Sequence, residues 1–135
     1  MKISDFNISG KDIPQDVADK ILDFHLRPLE RVQECVSFKI SVSLKSGYRP
    51  RWWELNKGRS GNSQHCFYGK GATDVTCDDF KTNKDALLEA LISETEYTRI
   101  CEYETFYHVD YAMQDERWVF NKDWERMYRL DDPDE

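Results

Sequence analysis

At 135 residues the chain is long enough for one domain around one hydrophobic core, and no Gly/Ser/Pro-rich linker or internal repeat marks a second. Hydrophobic residues make up 39% and charged residues 33%, and no apolar run approaches the roughly 20 residues of a membrane span, so neither a disordered nor a membrane-embedded chain is expected. The formal charge of −7 and the pI near 5.0 argue against nucleic acid as a partner, because phosphate-backbone binders present a basic face.

Met1-Lys2-Ile3-Ser4-Asp5 has no apolar stretch behind its basic start, so no secretory signal peptide is read and synthesis in the cytoplasm is expected. From Pro14 to about Val36 the apolar residues Val17, Ile21, Phe24, Pro28, Val32 and Cys35 recur at steps of three and four, one face of a helix. Pro28 removes a backbone donor in mid-pattern, which predicts a kink or break near Leu26-Arg27. His25 lies beside that face and reads as a partly buried or surface helix residue rather than a ligand. Phe38, Ile40, Val42 and Leu44 alternate with Lys39, Ser41 and Ser43, a strand with one buried face that delivers Arg49 beyond its end. Lys45 to Lys70 lacks periodicity and reads as a long loop with a helical turn around Trp52 to Asn56; long loops in compact domains are usually functional.

Ala72 to Cys77 suits a short strand, after which Thr82 or Asn83 caps a helix with Leu87, Leu88, Leu91 and Ile92 on its apolar face. Tyr97 to Tyr103 and Thr105 to Met113 read as strands, Arg117 to Phe120 as a further one, and Trp124 to Tyr128 as a C-terminal stretch without a motif. The sum is an α+β fold with a mostly antiparallel sheet, an N-terminal helix and one covering helix. The acidic run at about 130–135 reads as a solvated tail. Cys35, Cys66, Cys77 and Cys101 show no C-x-x-C spacing and are expected as free, mostly buried thiols; Cys66, beside His65, is an alternative soft ligand.

Three distant stretches carry the chemistry: Ser46-Gly47-Tyr48-Arg49-Pro50; Asn62-Ser63-Gln64-His65 leading into Gly71-Ala72-Thr73-Asp74; and His108-Val109-Asp110. Two imidazoles and a carboxylate, with a fourth position left for water, are what a hydrolytic zinc centre requires. His65 and Asp74 are nine residues apart, so a loop must fold back to present both, and Gly69 and Gly71 ease the reversal. His108 and Asp110 share a strand face, and a regular strand would add Phe106, Glu104 and Glu102 to it, making Glu102 and Glu104 candidate general bases or else ordinary surface acids. Arg49 either clamps a substrate carboxylate or developing oxyanion, or ties down its loop by bonding to backbone carbonyls. Of Trp52 and Trp53, one is expected to pack inward while the other covers the loop.

The order Ser46-Gly47-Tyr48-Arg49, Asn56, Asn62-Ser63-Gln64-His65, Gly71-Ala72-Thr73-Asp74 and His108-Val109-Asp110 resembles the D-Ala-D-Ala carboxypeptidase and L-alanyl-D-glutamate endopeptidase family of zinc peptidases, phage-type members included, which share their fold with the hedgehog signalling domain. The resemblance runs from the N-terminal helix through His108. It implies Zn2+ held by His65, Asp74 and His108, with Arg49 binding and polarising substrate. It also implies a glutamate six residues before the last ligand histidine as general base, which selects Glu102, with Glu104 second. The segment from His65 to Asp74 is two residues longer than the family spacing, so a bulged ligand loop is expected, and Pro50 with Trp52-Trp53 is expected to narrow the mouth.

The function implied is hydrolysis of a peptide bond in the stem peptide of bacterial peptidoglycan by a monomeric metallopeptidase, made in the cytoplasm and acting at the wall after release. Two alternatives stand beside it: a non-catalytic structural or binding module of the same fold, and a cytoplasmic dipeptidase acting on free D-Ala-D-Ala.

Overall fold

The computed structural model describes residues 1–7, 12–42, 48–59 and 63–130. Ser43, Leu44, Ser46, Gly47, Asn62 and the tail residues 131–135 lie outside the described residues, and with them part of the first two motif stretches and the end of the expected first strand.

The N-terminal helical pattern is realised as α1 (Gln15–Ile21), a π-helical turn (Leu22–Leu26) and α2 (Arg27–Cys35). The expected disturbance at Pro28 is therefore a widened turn rather than a break. Proline has no N–H to offer the carbonyl of Phe24 four residues earlier, and its ring would crowd that carbonyl in a regular helix. The Tyr111 hydroxyl donates to the Phe24 carbonyl instead, at 2.6 Å. Val17, Ile21, Leu26, Leu29 and Val32 from this helical run enter the core.

Strands β1 (Ile40–Val42), β2 (Ala72–Cys77), β3 (Arg99–Glu102), β4 (Tyr107–Asp110), β5 (Trp118–Phe120) and β6 (Arg126–Arg129) form one sheet in the order β1-β2-β4-β3-β5-β6. Every pairing is antiparallel except β3 with β5. The architecture is α+β with an open, mostly antiparallel six-stranded sheet, and β2 has the limits its sequence predicts. Helix α3 (Arg51–Asn56) is the helical turn expected in the long loop, and α4 (Phe80–Glu94) is the covering helix. It starts ahead of the expected caps: Asp79 is the N-cap, in a left-handed conformation at φ 48°, and Asn83 reaches back to the Asp78 carbonyl at 2.8 Å.

Side chains alternate across a strand, so register assigns the two faces of the sheet. Val75, Tyr107, Val109, Ile100 and Val119 share one face and belong to the core cluster with Leu87, Ala90 and Leu91 of α4. The opposite face presents Asp74, His108, Asp110, Arg99 and Cys101, and the candidate site lies there. No helix among the described residues is long and apolar enough to cross a membrane.

Candidate metal centre

Asp74 and His108 are direct cross-strand partners on β2 and β4, so the sheet itself brings them together. His65 arrives from a short 3-10 turn, Gln64–Cys66, whose N-cap Ser63 accepts the His65 N–H on its hydroxyl at 3.1 Å. Arg49 is stapled to the same turn, its backbone N–H donating to the His65 carbonyl at 2.8 Å. The lengthened segment then folds back through Phe67, left-handed at φ 59°, and Gly71 at φ 84°. Gly71 is required twice over: a Cβ there would sit 2.2 Å from the buried Phe67 ring, and its φ is one side chains resist. Lys20 ties the loop to α1 by donating to the Phe67 carbonyl at 2.9 Å.

His65 Nε2 lies 3.3 Å from His108 Nδ1 and 3.8 Å from Asp74 Oδ1, and His108 Nδ1 lies 3.2 Å from Asp74 Oδ1. Ligands at about 2.0–2.1 Å from a tetrahedral ion stand roughly 3.3 Å apart, so these separations are the edges of one face of a metal coordination shell. All three residues are buried. Cys66 is not part of the converging group, which among the described residues consists of His65, Asp74 and His108.

His108 Nε2 is 2.7 Å from Asp110 Oδ2, and Arg99, the cross-strand partner of Asp110, forks onto the same carboxylate at 2.8 and 2.6 Å. Burial acts most strongly on Asp110 and opposes its charge, but the bonds from His108 and Arg99 prevail and hold its carboxyl well below the usual range. An ionised Asp110 keeps the His108 proton on Nε2 and leaves Nδ1 as an acceptor facing the Asp74 carboxylate. Two acceptors at 3.2 Å call for a cation or a proton between them. Burial likewise pulls on His108 most, towards the neutral ring, yet the bonds to Asp110 and Asp74 together raise its pKa, which favours the protonated ring when no metal is bound. The group can therefore hold a metal ion.

Sequence reasoning had put Asp110 on the His108 face without giving it this role, and had missed Arg99 and Trp124. The Trp124 ring, left-handed at φ 59° on the β5–β6 turn, stands edge-on to His108 at 5.3 Å and covers the Arg99 guanidinium at 4.5 Å. It forms one edge of the site. Asp110→Asn should weaken metal binding about 10- to 100-fold while leaving the three ligands in place, measured by competition with a chromophoric chelator.

The structure does not bring Glu102 or Glu104 to this group. The chain reverses between Tyr103 and Phe106, where the Tyr103 N–H donates to the Phe106 carbonyl, so Glu102 pairs with Tyr107 rather than continuing the strand of His108. Tyr107 points to the core face, and Glu102 goes with it: its Oε2 is 3.6 Å from Lys84 Nζ on α4, and the Tyr107 hydroxyl is 3.5 Å from its Oε1. Glu104 is exposed at the turn, paired at 3.8 Å with Lys122. The expectation that both share the His108 face is thereby corrected.

His25 is also corrected, from partly buried to fully enclosed, between the Tyr97 hydroxyl at 2.8 Å and the Lys70 carbonyl at 2.9 Å. It holds the ligand loop from behind and faces no metal site. Of the tryptophan pair, Trp52 is exposed and Trp53 half-buried, with Arg49, Lys57 and Arg59 gathered around its ring. None of the four cysteines is in a disulfide among the described residues; Cys66, Cys77 and Cys101 are buried and Cys35 is exposed. The chain matches no protein-family model, no curated protein and no solved structure.

Proposed function

We propose that the chain is a zinc-dependent peptidase that hydrolyses a bond in the peptidoglycan stem peptide, with the hedgehog-like fold and the family its motifs resemble. The observation that carries this reading is the buried His65, Asp74 and His108 set, two nitrogens and one oxygen at the spacing of a tetrahedral face. That donor set, with a fourth position left open, is the one zinc hydrolases use, whereas structural zinc is closed by four protein ligands, usually thiolates. Zinc there would polarise a carbonyl and bring a water's pKa down to about 7.

The remaining work falls to the protein. Asp110 and Arg99 fix the tautomer of His108, and Arg99 spreads the charge beneath Trp124. Arg49, anchored to the His65 turn and close enough to feel the Asp74 charge, presents its fork of donors to a substrate carboxylate or a developing oxyanion. The general-base role that the family resemblance assigns to Glu102, with Glu104 second, forms no part of this proposal, since neither carboxylate faces the ligands. Glu102→Gln should accordingly keep zinc and change kcat/KM on a synthetic stem pentapeptide by less than about threefold, far below the 100-fold or more that removal of a general base costs. A loss of that larger size would restore Glu102 to the site.

The displacement of Glu102 and Glu104 also favours a second reading, a metal-holding module without turnover. Incubation of zinc-loaded protein with stem pentapeptide, followed by mass spectrometry, separates the two: a new amine and carboxylate pair supports the peptidase, and intact peptide after exhaustive incubation supports the module.

A further inference from the structure

The segment from Tyr48 to Arg59 carries four cations, Arg49, Arg51, Lys57 and Arg59, and a single acid, Glu54. That acid is fully buried, although it belongs to a six-residue helix whose other members include the exposed Trp52 and Leu55. Its Oε2 lies 3.1 Å from Arg59 Nη1 and 4.0 Å from Arg49 Nη1, and its Oε1 has no hydrogen-bond partner among the described residues. The Nε of Arg49 is likewise buried without an acceptor among the described residues. Burying a carboxyl group with one oxygen unsatisfied is costly, and cores rarely keep one without a use. Arg49 thus feels the charge of two carboxylates, Asp74 of the ligand set and Glu54 of α3, while its Nε donor is left unengaged by the described residues.

We infer that Glu54 is a positioning residue for Arg49, holding the guanidinium beside the metal ligands so that its free donors receive a carboxylate of the substrate next to the bond that is cut. The inference rests on the function proposed above and deepens it by naming the group that Arg49 receives. Its physical reason is charge. A divalent ion on His65, Asp74 and His108 keeps a net positive charge after Asp74 is counted, and would push a neighbouring guanidinium away. Glu54 is the one acid of the Tyr48–Arg59 segment and lies against Arg49, so its charge keeps the cation where a ligand carboxylate can bridge towards it. Arg59, exposed and in direct contact with Oε2, holds Glu54 in turn.

The test is an NMR titration of zinc-loaded protein with D-alanine and with D-alaninamide, which lacks the carboxylate. Wild type should bind the acid more tightly than the amide. Glu54→Gln should keep its zinc and its melting temperature yet shrink that preference about tenfold, the scale of a hydrogen bond to a charged group. Arg49→Ala should shrink it as far, and Glu54→Gln added to Arg49→Ala should change nothing more, because the two act as one unit. If Glu54→Gln does not fold, Glu54→Asp, which withdraws the charge by one methylene, should reduce the preference by roughly threefold or more. Equal weakening of acid and amide, an additive double variant, or an undiminished preference in the Glu54 variants would each overturn the inference while leaving the peptidase standing. A wild type that takes up no zinc would instead remove the proposed function on which the inference rests.

Discussion

On the proposed function, replacing His65 or His108 by alanine is expected to take the zinc content of protein purified without added metal from near one per chain to below a tenth, and to reduce stem-peptide hydrolysis at least about a thousandfold. That reduction corresponds to about 4 kcal/mol. The size follows from the geometry. Three donor atoms at 3.2, 3.3 and 3.8 Å define a face, and two define only an edge, which any hydrated cation can leave. The two variants should differ in what remains. His65→Ala leaves Asp74, His108 and the Asp110–Arg99 pair behind it intact, so added zinc should partly refill the site. His108→Ala strands the Asp110 carboxylate against Arg99 with no imidazole to orient, and should resist refilling. Elemental analysis before and after zinc loading, paired with a circular dichroism spectrum to establish folding, reads both results. Zinc retained at full occupancy in either variant would show that the three residues are not its ligands.

The contrast between the ligand set and Glu102 shows which parts of this site a sequence can carry. His65 and Asp74 were legible because the motif around them is local: Ser63 caps the turn, Gly71 allows the reversal, and Ala72 to Cys77 is a strand in both sequence and structure. His108 was legible as a residue, but its meeting with Asp74 depends on the register of β2 against β4, a pairing across 34 positions that no local pattern encodes. Glu102 failed for a physical reason that can be stated. Along an unbroken strand residues 102, 104, 106 and 108 share one face, whereas a reversal at Glu104-Thr105 places Glu102 opposite Tyr107 and so changes its side. Glu104-Thr105 contains none of the glycine, proline or asparagine that marks a tight turn, so the boundary between the two expected strands carried no sign that the chain reverses there.

Glu54 was missed for a different reason: in a chain with 26 acidic residues one more acid on a short exposed helix reads as surface. The available signal was its isolation, one acid among four cations between Tyr48 and Arg59. The helix preceding the site shows the reverse case. Pro28 announced a distortion, and the π-helical turn it produces frees a carbonyl that Tyr111, from just beyond β4, can reach. His25 lies within that turn and is fully buried, where apolar periodicity alone had left it at the margin of the buried face.

That inward His25 sets the second large expectation, a loss of stability in mild acid. The Lys70 carbonyl can only accept, so Nε2 carries the proton and Nδ1 accepts from the Tyr97 hydroxyl. Phe6, Phe67, Tyr97 and Tyr111 close around the ring. Burial is the main influence on its pKa and pushes it down from the ordinary 6.5 to about 4, with the Lys70 carbonyl and the charge of Asp110 offering smaller opposition. Because the folded value lies below the unfolded one, the unfolded chain binds the proton first. The stability supplied by neutral His25 is fully present above pH 6.5 and is lost as the pH falls from there towards 4. A shift of that size is worth about 3 kcal/mol when complete, and most of it is gone by pH 4.5. Urea unfolding of metal-free protein at pH 7 and pH 4.5 should therefore show wild type losing roughly 2–3 kcal/mol more than His25→Gln, since His65, His108 and the carboxylates titrate in both proteins and cancel in the comparison. Equal losses would mean that the ring is solvated or already charged in the folded state. The proton enters at Nδ1, so protonation breaks the bond from Tyr97, while Nε2–H goes on donating to the Lys70 carbonyl, one residue before the Gly71 turn that leads to Asp74. The acid loss is therefore one of core burial, and the bond behind the ligand loop persists in any chain that stays folded.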